Sequence, residues 1–350
     1  MTETACRSCG SPRLSPILSL GALPLANALP SAIGAEIPDA RFPLDLVFCE
    51  ECSLVQITET VAPEILFRDY LYFSSFSDTF VSRARVLAER LVAERGLTAK
   101  SLVVEIASND GYLLQHYVAA KIPVLGIEPA ENVAAVAREK GIPTRADFFS
   151  KELADRLKAE GNRADVVHAN NVLAHVADLN GFVSGIAAIL KESGVAVVEM
   201  PYVLDMVDRC EFDTIYHEHL CYFSLKALTG LFTRHGLTMQ KVERLPVHGG
   251  SLRLFVGHAG TALADDSVER LRREESGRAA DRFPFYGAFG DRVARLRTEL
   301  VALLQGLRRQ GKSIAAYGAA AKGTVLLNYF GIGTDLVSFV VDRNPHKQGA

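Results

Sequence analysis

The most constraining feature of this chain is an alternation of strand and helix patterns between residues 101 and 200. Short apolar runs typical of buried strands occupy residues 101–106, 123–128, 164–168 and 194–200, and an amphipathic segment fills residues 182–190. Strands that alternate with helices predict a parallel sheet covered on both faces. We therefore expect an α/β chain built on a doubly wound, Rossmann-like sheet.

Acidic residues stand where two of these predicted strands end. Glu105 closes the first strand and is followed by a turn containing Asp110, and Glu128 closes the next strand. In nucleotide-binding sheets the cofactor sits at the first turn, and the acid about 20 residues later binds its ribose. The candidate cofactor-binding residues are Glu105, Ala107, Asn109, Asp110, Gly111, Glu128, Asp147, Phe148 and Asn170.

The turn at residues 107–111 indicates which cofactor is bound. It lacks the G-x-G-x-x-G pattern of nicotinamide and flavin sites, and the carboxylate of Asp110 would repel a diphosphate. S-adenosylmethionine has no phosphate and carries cationic groups. Residues 237–245 and 251–256 also predict a terminal antiparallel pair, as in class I methyltransferases. The alternative is that these acids only end a strand and cap a helix.

Four of the six cysteines form two C-x-x-C pairs, Cys6 with Cys9 and Cys49 with Cys52. Two such pairs can surround one Zn²⁺ tetrahedrally, and four thiolates leave no open position, so we expect a structural zinc. Disulfide or redox pairs are the alternative. The chain has no secretion signal that would favour disulfides, and neither pair opens a helix after a strand.

A dense group of titratable side chains lies in residues 212–223, after the strand that ends near residue 200. Sites in α/β sheets form at this edge, and an imidazole is the natural base near neutral pH. Two other interpretations stay open: histidines packed in a core, and a metal bound by His217 and His219. The candidates here and after the preceding strand are Asn171, His175, Tyr216, Glu218, His219 and Tyr222.

The C-terminal part predicts a second strand–helix–strand unit over residues 313–342. Lys322 follows its glycine turn, where it would either meet a phosphate or remain a solvated side chain. The chain ends soon after the last predicted strand, so we expect this domain to be incomplete. The expected domains are a zinc-binding lobe at 1–68, a methyltransferase domain at 69–275 and the C-terminal domain at 276–350.

Charge and hydropathy exclude some classes of partner. The net charge is −3 and no run of Lys or Arg occurs, so neither a nucleic-acid nor an anionic membrane surface is indicated. No apolar stretch approaches the roughly 18 residues of a transmembrane helix, and no targeting segment is evident. We expect a cytoplasmic protein that is a monomer or a small homo-oligomer.

Taken together, the motifs resemble the sugar C-methyltransferases of deoxysugar biosynthesis. The best-known members of that family are 3-C-methyltransferases acting on nucleotide-linked 4-keto-6-deoxysugars. The resemblance extends over nearly the whole chain, although family members usually continue beyond its last residue. It rests on residues 6–10, 24–27, 49–52, 69–75, 105–111, 171–175, 216–219, 248–251 and 342–348.

The resemblance implies a role for each part. The four cysteines would hold zinc, the middle domain would bind S-adenosylmethionine, and the C-terminal domain would help bind a thymidine diphosphate-linked sugar. His219 would be the base at C3, Tyr70 would close over the cofactor or substrate, and other residues would orient the sugar or stabilise the enolate. Those residues are His175, Tyr216 and Glu218, with Asn171, Tyr222, His248 and Lys322 as further substrate contacts.

Two rival functions remain. One is an enzyme of the same fold that methylates another carbon, or an oxygen, of a related small molecule. The other is a zinc-containing binding module that keeps the cofactor without the chemistry, which the intact cluster at residues 216–219 disfavours.

Overall fold

A computed structural model describes residues 2–28, 40–67, 73–344 and 347–348. Its strands are β1 (Leu14–Pro24), β2 (Arg41–Cys49), β3 (Val55–Ile57), β4 (Val103–Ile106), β5 (Val124–Ile127), β6 (Thr144–Arg145), β7 (Ala164–Asn170), β8 (Leu190–Pro201), β9 (Cys221–Tyr222), β10 (Leu237–Leu245), β11 (Ser251–His258), β12 (Ala315–Tyr317) and β13 (Phe339–Val341). Its α-helices are α1 (Pro63–Phe67), α2 (Asp78–Arg95), α3 (Leu114–Ala119), α4 (Glu131–Glu139), α5 (Lys151–Ala159), α6 (Leu179–Ile189), α7 (Val203–Asp208), α8 (Leu225–Arg234), α9 (Asp266–Gly277), α10 (Phe289–Arg309) and α11 (Ala321–Phe330).

The chain folds into two compact units. The first unit comprises residues 1–60, 202–224 and 276–350, and the second comprises residues 61–201 and 225–275. Neither unit is one uninterrupted stretch of sequence.

The second unit contains a seven-stranded sheet in the order β10-β11-β8-β7-β4-β5-β6. Strands β4 to β8 run parallel to one another, whereas β11 runs antiparallel to both β8 and β10. This confirms the predicted Rossmann-like α/β sheet and its terminal antiparallel pair. The carboxyl ends of the parallel strands share one edge, which brings the candidate cofactor residues to one side of the sheet.

Apolar side chains explain why α2 and α3 cover this sheet. Leu87 and Leu91 of α2 and Tyr117 of α3 are buried in one cluster with Val166 and Val197 from neighbouring strands. Burying a side chain of this size stabilises the fold by about 1.5–3 kcal/mol. The helix α2 begins at Ser77, whose hydroxyl accepts the Phe80 N–H, and ends at Gly96 in a left-handed conformation.

The first unit is built on a four-stranded antiparallel sheet in the order β1-β2-β3-β9. Phe48 of β2 is fully buried, and its ring centroid lies 5.0 Å from that of Tyr286, which precedes α10. The unit also contains β12 and β13, which are parallel and joined through α11, as predicted for the C-terminal strand–helix–strand unit.

The compact units differ from the three consecutive segments that the sequence predicts, because residues 202–224 and 276–350 both group with residues 1–60. Residues 202–224 group with the first unit, since β9 pairs with β3 through Val55–Tyr222 and Gln56–Cys221. The predicted domain boundaries at residues 68 and 275 therefore stay a prediction. No helix within the described ranges has both the length and the apolar character needed to cross a membrane.

Candidate active site and metal site

The four paired cysteines converge on one point in the first unit. Their Sγ atoms all lie within 4.8 Å of one another, with Cys6 and Cys52 at 3.5 Å and Cys9 and Cys49 at 3.5 Å. Thiolates bound tetrahedrally at about 2.3 Å from zinc would lie about 3.8 Å apart. The four sulfurs therefore fit a Zn²⁺ ion, which these side chains would hold as a structural centre.

Two similar turns bring the sulfurs together. Gly10 N–H donates to the Cys6 carbonyl at 2.8 Å, and Ser53 N–H donates to the Cys49 carbonyl at 2.9 Å. Both turn-ending residues are left-handed, with φ of 74° at Gly10 and 64° at Ser53. Each turn reverses the chain after its second cysteine, so both thiols of a pair face the same side.

The turn after β4 has the shape of a cofactor-binding loop. Three of its residues have positive φ: Ala107 at 55°, Asn109 at 50° and Gly111 at 78°. The two carboxylate oxygens of Glu128, at the end of β5, each accept a backbone N–H at 2.9 Å, from Asn109 and from Ala130. These bonds fix the loop against β5 and hold the Glu128 carboxylate in one orientation.

Buried acceptors without partners line this edge of the sheet. Within the described residues, no hydrogen-bond partner reaches Glu105 Oε2, Asp110 Oδ1, Asn170 Oδ1 or Asn171 Oδ1. Burial raises the pKa of Glu105 well above its usual range, and the nearby carboxylates of Glu128 and Asp110 add to this rise. Because buried acceptors require donors, the edge suits a ligand with hydroxyl and ammonium groups, as S-adenosylmethionine has.

Other candidate cofactor residues lie close to this edge. Asp147 follows β6 and pairs with Arg145, with Nε and Oδ2 at 3.5 Å. Phe148 is 43% exposed beside it, so an aromatic face is available to a ligand. Asp110 is held at its other oxygen by Ser75 and by Lys140, whose Nζ lies 3.0 Å from Oδ2. Tyr70 lies outside the described residues.

The predicted titratable cluster belongs to the first unit, where it forms a compact network. His219 Nδ1 lies 2.9 Å from the Thr214 carbonyl, and His219 Nε2 lies 2.9 Å from the hydroxyl of Tyr216. A carbonyl only accepts, so Nδ1 carries the hydrogen and Nε2 keeps the lone pair that a base needs. The Tyr222 hydroxyl donates to the same Thr214 carbonyl at 3.3 Å.

The neighbouring Glu218 is almost completely buried, with 5% of its surface exposed. Its Oε1 accepts the Asn27 amide at 2.6 Å. Burial raises the pKa of the Glu218 carboxyl, while the Asn27 hydrogen bond and the Lys347 charge oppose the rise. The sequence patterns indicate no role for Asn27 beyond its place in the motif at residues 24–27.

His217 has a different environment from His219. Its Nε2 lies 3.2 Å from the carbonyls of both Phe42 and Pro43, and the side chain is buried. Burial lowers its pKa. An imidazole directed at backbone carbonyls packs the segment against β2, so this geometry favours the structural interpretation over a metal shared with His219.

The remaining candidates are distributed between the units. In the second unit, the ring of His175 lies edge-on to Phe67 at 5.7 Å, and that of His248 lies 5.7 Å from Phe80. In the first unit, Lys322 lies in the first turn of α11, with Nζ 3.8 Å from Glu211. The second unit thus holds the cofactor candidates with Asn171, His175 and His248. The first holds Tyr216, Glu218, His219, Tyr222 and Lys322.

Comparison with known proteins identifies the family. Three family models match consecutive parts of the chain: a "Putative zinc binding domain" at residues 6–67, a "Methyltransferase domain" at 80–242 and a "C-methyltransferase C-terminal domain" at 246–350. The C-methyltransferase NovU of Streptomyces niveus is 36% identical over 348 residues, covering 98% of this chain and 82% of NovU. The chain belongs to the C-methyltransferase family.

This C-methyltransferase uses S-adenosylmethionine, and its cysteine cluster corresponds to the zinc-binding family model. Solved methyltransferase structures resemble it over about half its length. The magnesium protoporphyrin IX methyltransferase of Synechocystis PCC 6803 with bound S-adenosylmethionine is 14% identical, covering 51% of this chain and 79% of its own, with a TM-score of 0.39. An S-adenosylmethionine-dependent methyltransferase of Clostridium acetobutylicum ATCC 824 is 11% identical, covering 51% and 92%, with a TM-score of 0.42.

Proposed function

We propose that this C-methyltransferase methylates C3 of a nucleotide-linked 4-keto-6-deoxysugar through an enolate. The observation that carries the proposal is the state of His219, whose Nδ1–H is held by the Thr214 carbonyl while the unprotonated Nε2 accepts from the Tyr216 hydroxyl. Carbon is a poor nucleophile until a proton is removed from it. A C-methyltransferase therefore needs a substrate that makes that proton acidic, as a ketone does for its α-carbon, and a base to take it.

In the proposed reaction His219 Nε2 takes the C3 proton, and the electron pair of the C–H bond spreads onto the C4 oxygen. Before the reaction the Tyr216 hydroxyl donates to Nε2 at 2.9 Å; once Nε2 takes the proton, the hydroxyl would turn its hydrogen to that oxygen as its charge grows. S-adenosylmethionine supplies the electrophilic methyl group that C3 takes up. Base catalysis of this kind contributes roughly 10²- to 10⁴-fold in rate.

Glu218 would orient the sugar. Its Oε1 accepts from Asn27, and the side chain is 5% exposed. A largely buried carboxylate is suited to a sugar hydroxyl, because the low-dielectric surroundings strengthen the hydrogen bond. We assign His175, Asn171, Tyr222 and His248 as further sugar or enolate contacts, and Tyr70 as a residue that closes over the ligands.

Lys322 would contact the nucleotide half of the substrate. It lies in the first turn of α11, and a helix N-terminus favours an anion such as a diphosphate. Its present partner, Glu211, is 3.8 Å away and would be exchanged for phosphate oxygens. We propose thymidine diphosphate as the carrier, and deoxysugar biosynthesis as the setting.

Mass spectrometry tests the reaction directly. The protein is incubated with methyl-labelled S-adenosylmethionine and a panel of thymidine diphosphate-linked 4-keto-6-deoxysugars, and the products are hydrolysed. A label that fragmentation places on a ring carbon supports the proposal and names the sugar. A label placed on an oxygen, or absent from every sugar, contradicts it.

Exchange with solvent separates carbon from oxygen methylation. In deuterated water without S-adenosylmethionine, a base that forms an enolate replaces the C3 hydrogen with deuterium. An O-methyltransferase of the same fold has no reason to catalyse this exchange. The His219→Asn variant is the matched control and is expected to lose the exchange.

A further inference from the structure

Asn27 lies on the surface of the first unit, yet it contacts a buried carboxylate. It occupies the turn that follows β1, where Ala28 N–H donates to the Leu25 carbonyl at 3.2 Å. Asn27 itself is exposed, whereas Glu218 is 5% exposed. The Asn27 Nδ2 atom lies 2.6 Å from Glu218 Oε1, across 191 residues of sequence.

The backbone next to Asn27 is anchored separately. Ala26 is 3% exposed, and its carbonyl accepts the Thr324 hydroxyl of α11 at 3.0 Å. The backbone of the turn therefore has an anchor besides the Asn27 side chain.

The groups around Glu218 differ in how they act on its carboxyl, and the Asn27 amide is the one that donates a hydrogen bond to Oε1. Lys347 is the cation that acts on the carboxyl, from the C-terminal part of the chain. Of the flanking histidines, His217 directs Nε2 to backbone carbonyls, and His219 bonds Thr214 and Tyr216. The Asn27 amide donates the hydrogen bond that reaches Oε1, and a donor stabilises the ionised carboxylate more than the neutral acid.

We propose that Asn27 is a positioning residue whose amide holds Glu218 Oε1 and favours the ionised carboxylate, which would accept a hydroxyl of the sugar through its other oxygen. This inference rests on the role given to Glu218 in the proposed function. It links the turn after β1, which belongs to the zinc-binding part of the sequence, to the binding of substrate. An amide suits this place because Nδ2 donates a hydrogen bond without adding charge. A carboxylate would add a negative charge, and an alanine has no donor.

Two substitutions test the contact. Asn27→Ala removes the donor, and Asn27→Asp places a second carboxylate against the first. In both, the pKa of Glu218 is expected to rise, more in Asn27→Asp, so the acidic limb of kcat/KM against pH moves to higher pH. At neutral pH we expect a loss of about tenfold, the size of one hydrogen bond to a charged group. Zinc content and S-adenosylmethionine affinity stay at wild-type values.

Asn162→Ala is the matched control. Asn162 also donates to a glutamate, with Nδ2 3.3 Å from Glu160 Oε2, but this pair lies on the surface of the second unit. Its removal is expected to leave the pH profile unchanged. Equal shifts in Asn162→Ala and Asn27→Ala would overturn the proposal, because the effect would then not come from Glu218.

A titration that does not depend on turnover separates the two proposals. The protein is labelled with ¹³C at the glutamate carboxyl carbons, and the Glu218 resonance is assigned as the one missing from Glu218→Gln. An upward shift of its titration in Asn27→Ala supports the contact, and an unchanged titration overturns it. If the resonance shifts while the acidic limb of the rate profile stays in place, the contact stands and the role of Glu218 in the reaction is wrong.

Discussion

Val55 of β3 pairs with Tyr222 of β9 in antiparallel register. Val55 follows the second cysteine pair by three positions, and Tyr222 ends the segment that holds Tyr216, Glu218 and His219. The cysteine cluster and the candidate catalytic segment are thus joined through adjacent strands of one small sheet. A change in the cluster is therefore expected to reach the chemistry through the backbone.

Removing one zinc ligand should show this coupling. In Cys52→Ser we expect loss of bound zinc, a lower melting temperature and little turnover, because binding of a structural zinc is coupled to folding. The affinity for S-adenosylmethionine should be retained, since its candidate residues belong to the other unit. Elemental analysis, thermal unfolding and calorimetric titration measure the three quantities.

Cys210→Ser is the control for that substitution, because Cys210 is half-buried and lies outside the cluster. It should keep its zinc and its activity. Stoichiometric zinc and an unchanged melting temperature in Cys52→Ser would show that the four cysteines do not form the metal site.

Loss of the base should abolish turnover without affecting cofactor binding. His219→Asn keeps a polar side chain but has no basic nitrogen, so kcat is expected to fall roughly 10²- to 10⁴-fold. His235→Asn is a control in the second unit, where His235 Nε2 lies 3.0 Å from Asn180 Oδ1. Wild-type turnover in His219→Asn would eliminate this residue as the base.

Glu128 should account for part of the affinity for S-adenosylmethionine. Glu128→Gln keeps the size of the side chain but weakens bonds to ligand hydroxyls and to the N–H groups of Asn109 and Ala130. We expect Kd to rise about 10- to 100-fold, the range for hydrogen bonds to charged groups. Glu131→Gln, an exposed change three residues later, should leave Kd unchanged. Calorimetric titration compares them.

A buried histidine should make the fold sensitive to acid. His168 lies in β7 with Nε2 2.8 Å from the Tyr117 hydroxyl, and burial lowers its pKa to about 3. In the unfolded chain it titrates near 6.5, so the unfolded state binds more protons between these values. The stability that His168 contributes is fully present above about pH 6.5 and is lost as the pH falls. At pH 5 the loss amounts to about 2 kcal/mol.

Urea unfolding of the wild type and of His168→Gln at pH 7 and pH 5 measures this loss. The variant is expected to be less stable at pH 7 but to lose less on acidification. An equal loss in both proteins would show that other groups cause the acid sensitivity.

Local patterns predicted much of this molecule. The apolar runs that became β4 and β5 can be recognised one by one, and the spacing of Cys6 with Cys9 forces both thiols to one side of a turn. The contact between Tyr216 and His219 could likewise be expected from the sequence, because the two residues are three positions apart. Such features depend on neighbours in the chain.

Non-local contacts were not predictable in the same way. The strand β9 has two residues, too few for a periodic pattern, so nothing in residues 202–224 indicates pairing with β3. The hydrogen bond from Asn27 to Glu218 spans 191 residues and depends on how two loops approach each other. Those relationships are set by tertiary packing, which a single sequence does not display.

The interleaving of the two units bears on how such enzymes diversify. The first unit is assembled from three stretches of the gene product and the second from two. Recombination between related genes can exchange one contiguous block of sequence. Such a block brings in only part of the first unit, so β3 and β9 can come from different parents. Because such an exchange separates residues that pack in one unit, point substitutions are expected to disturb this scaffold less than the exchange of a contiguous block.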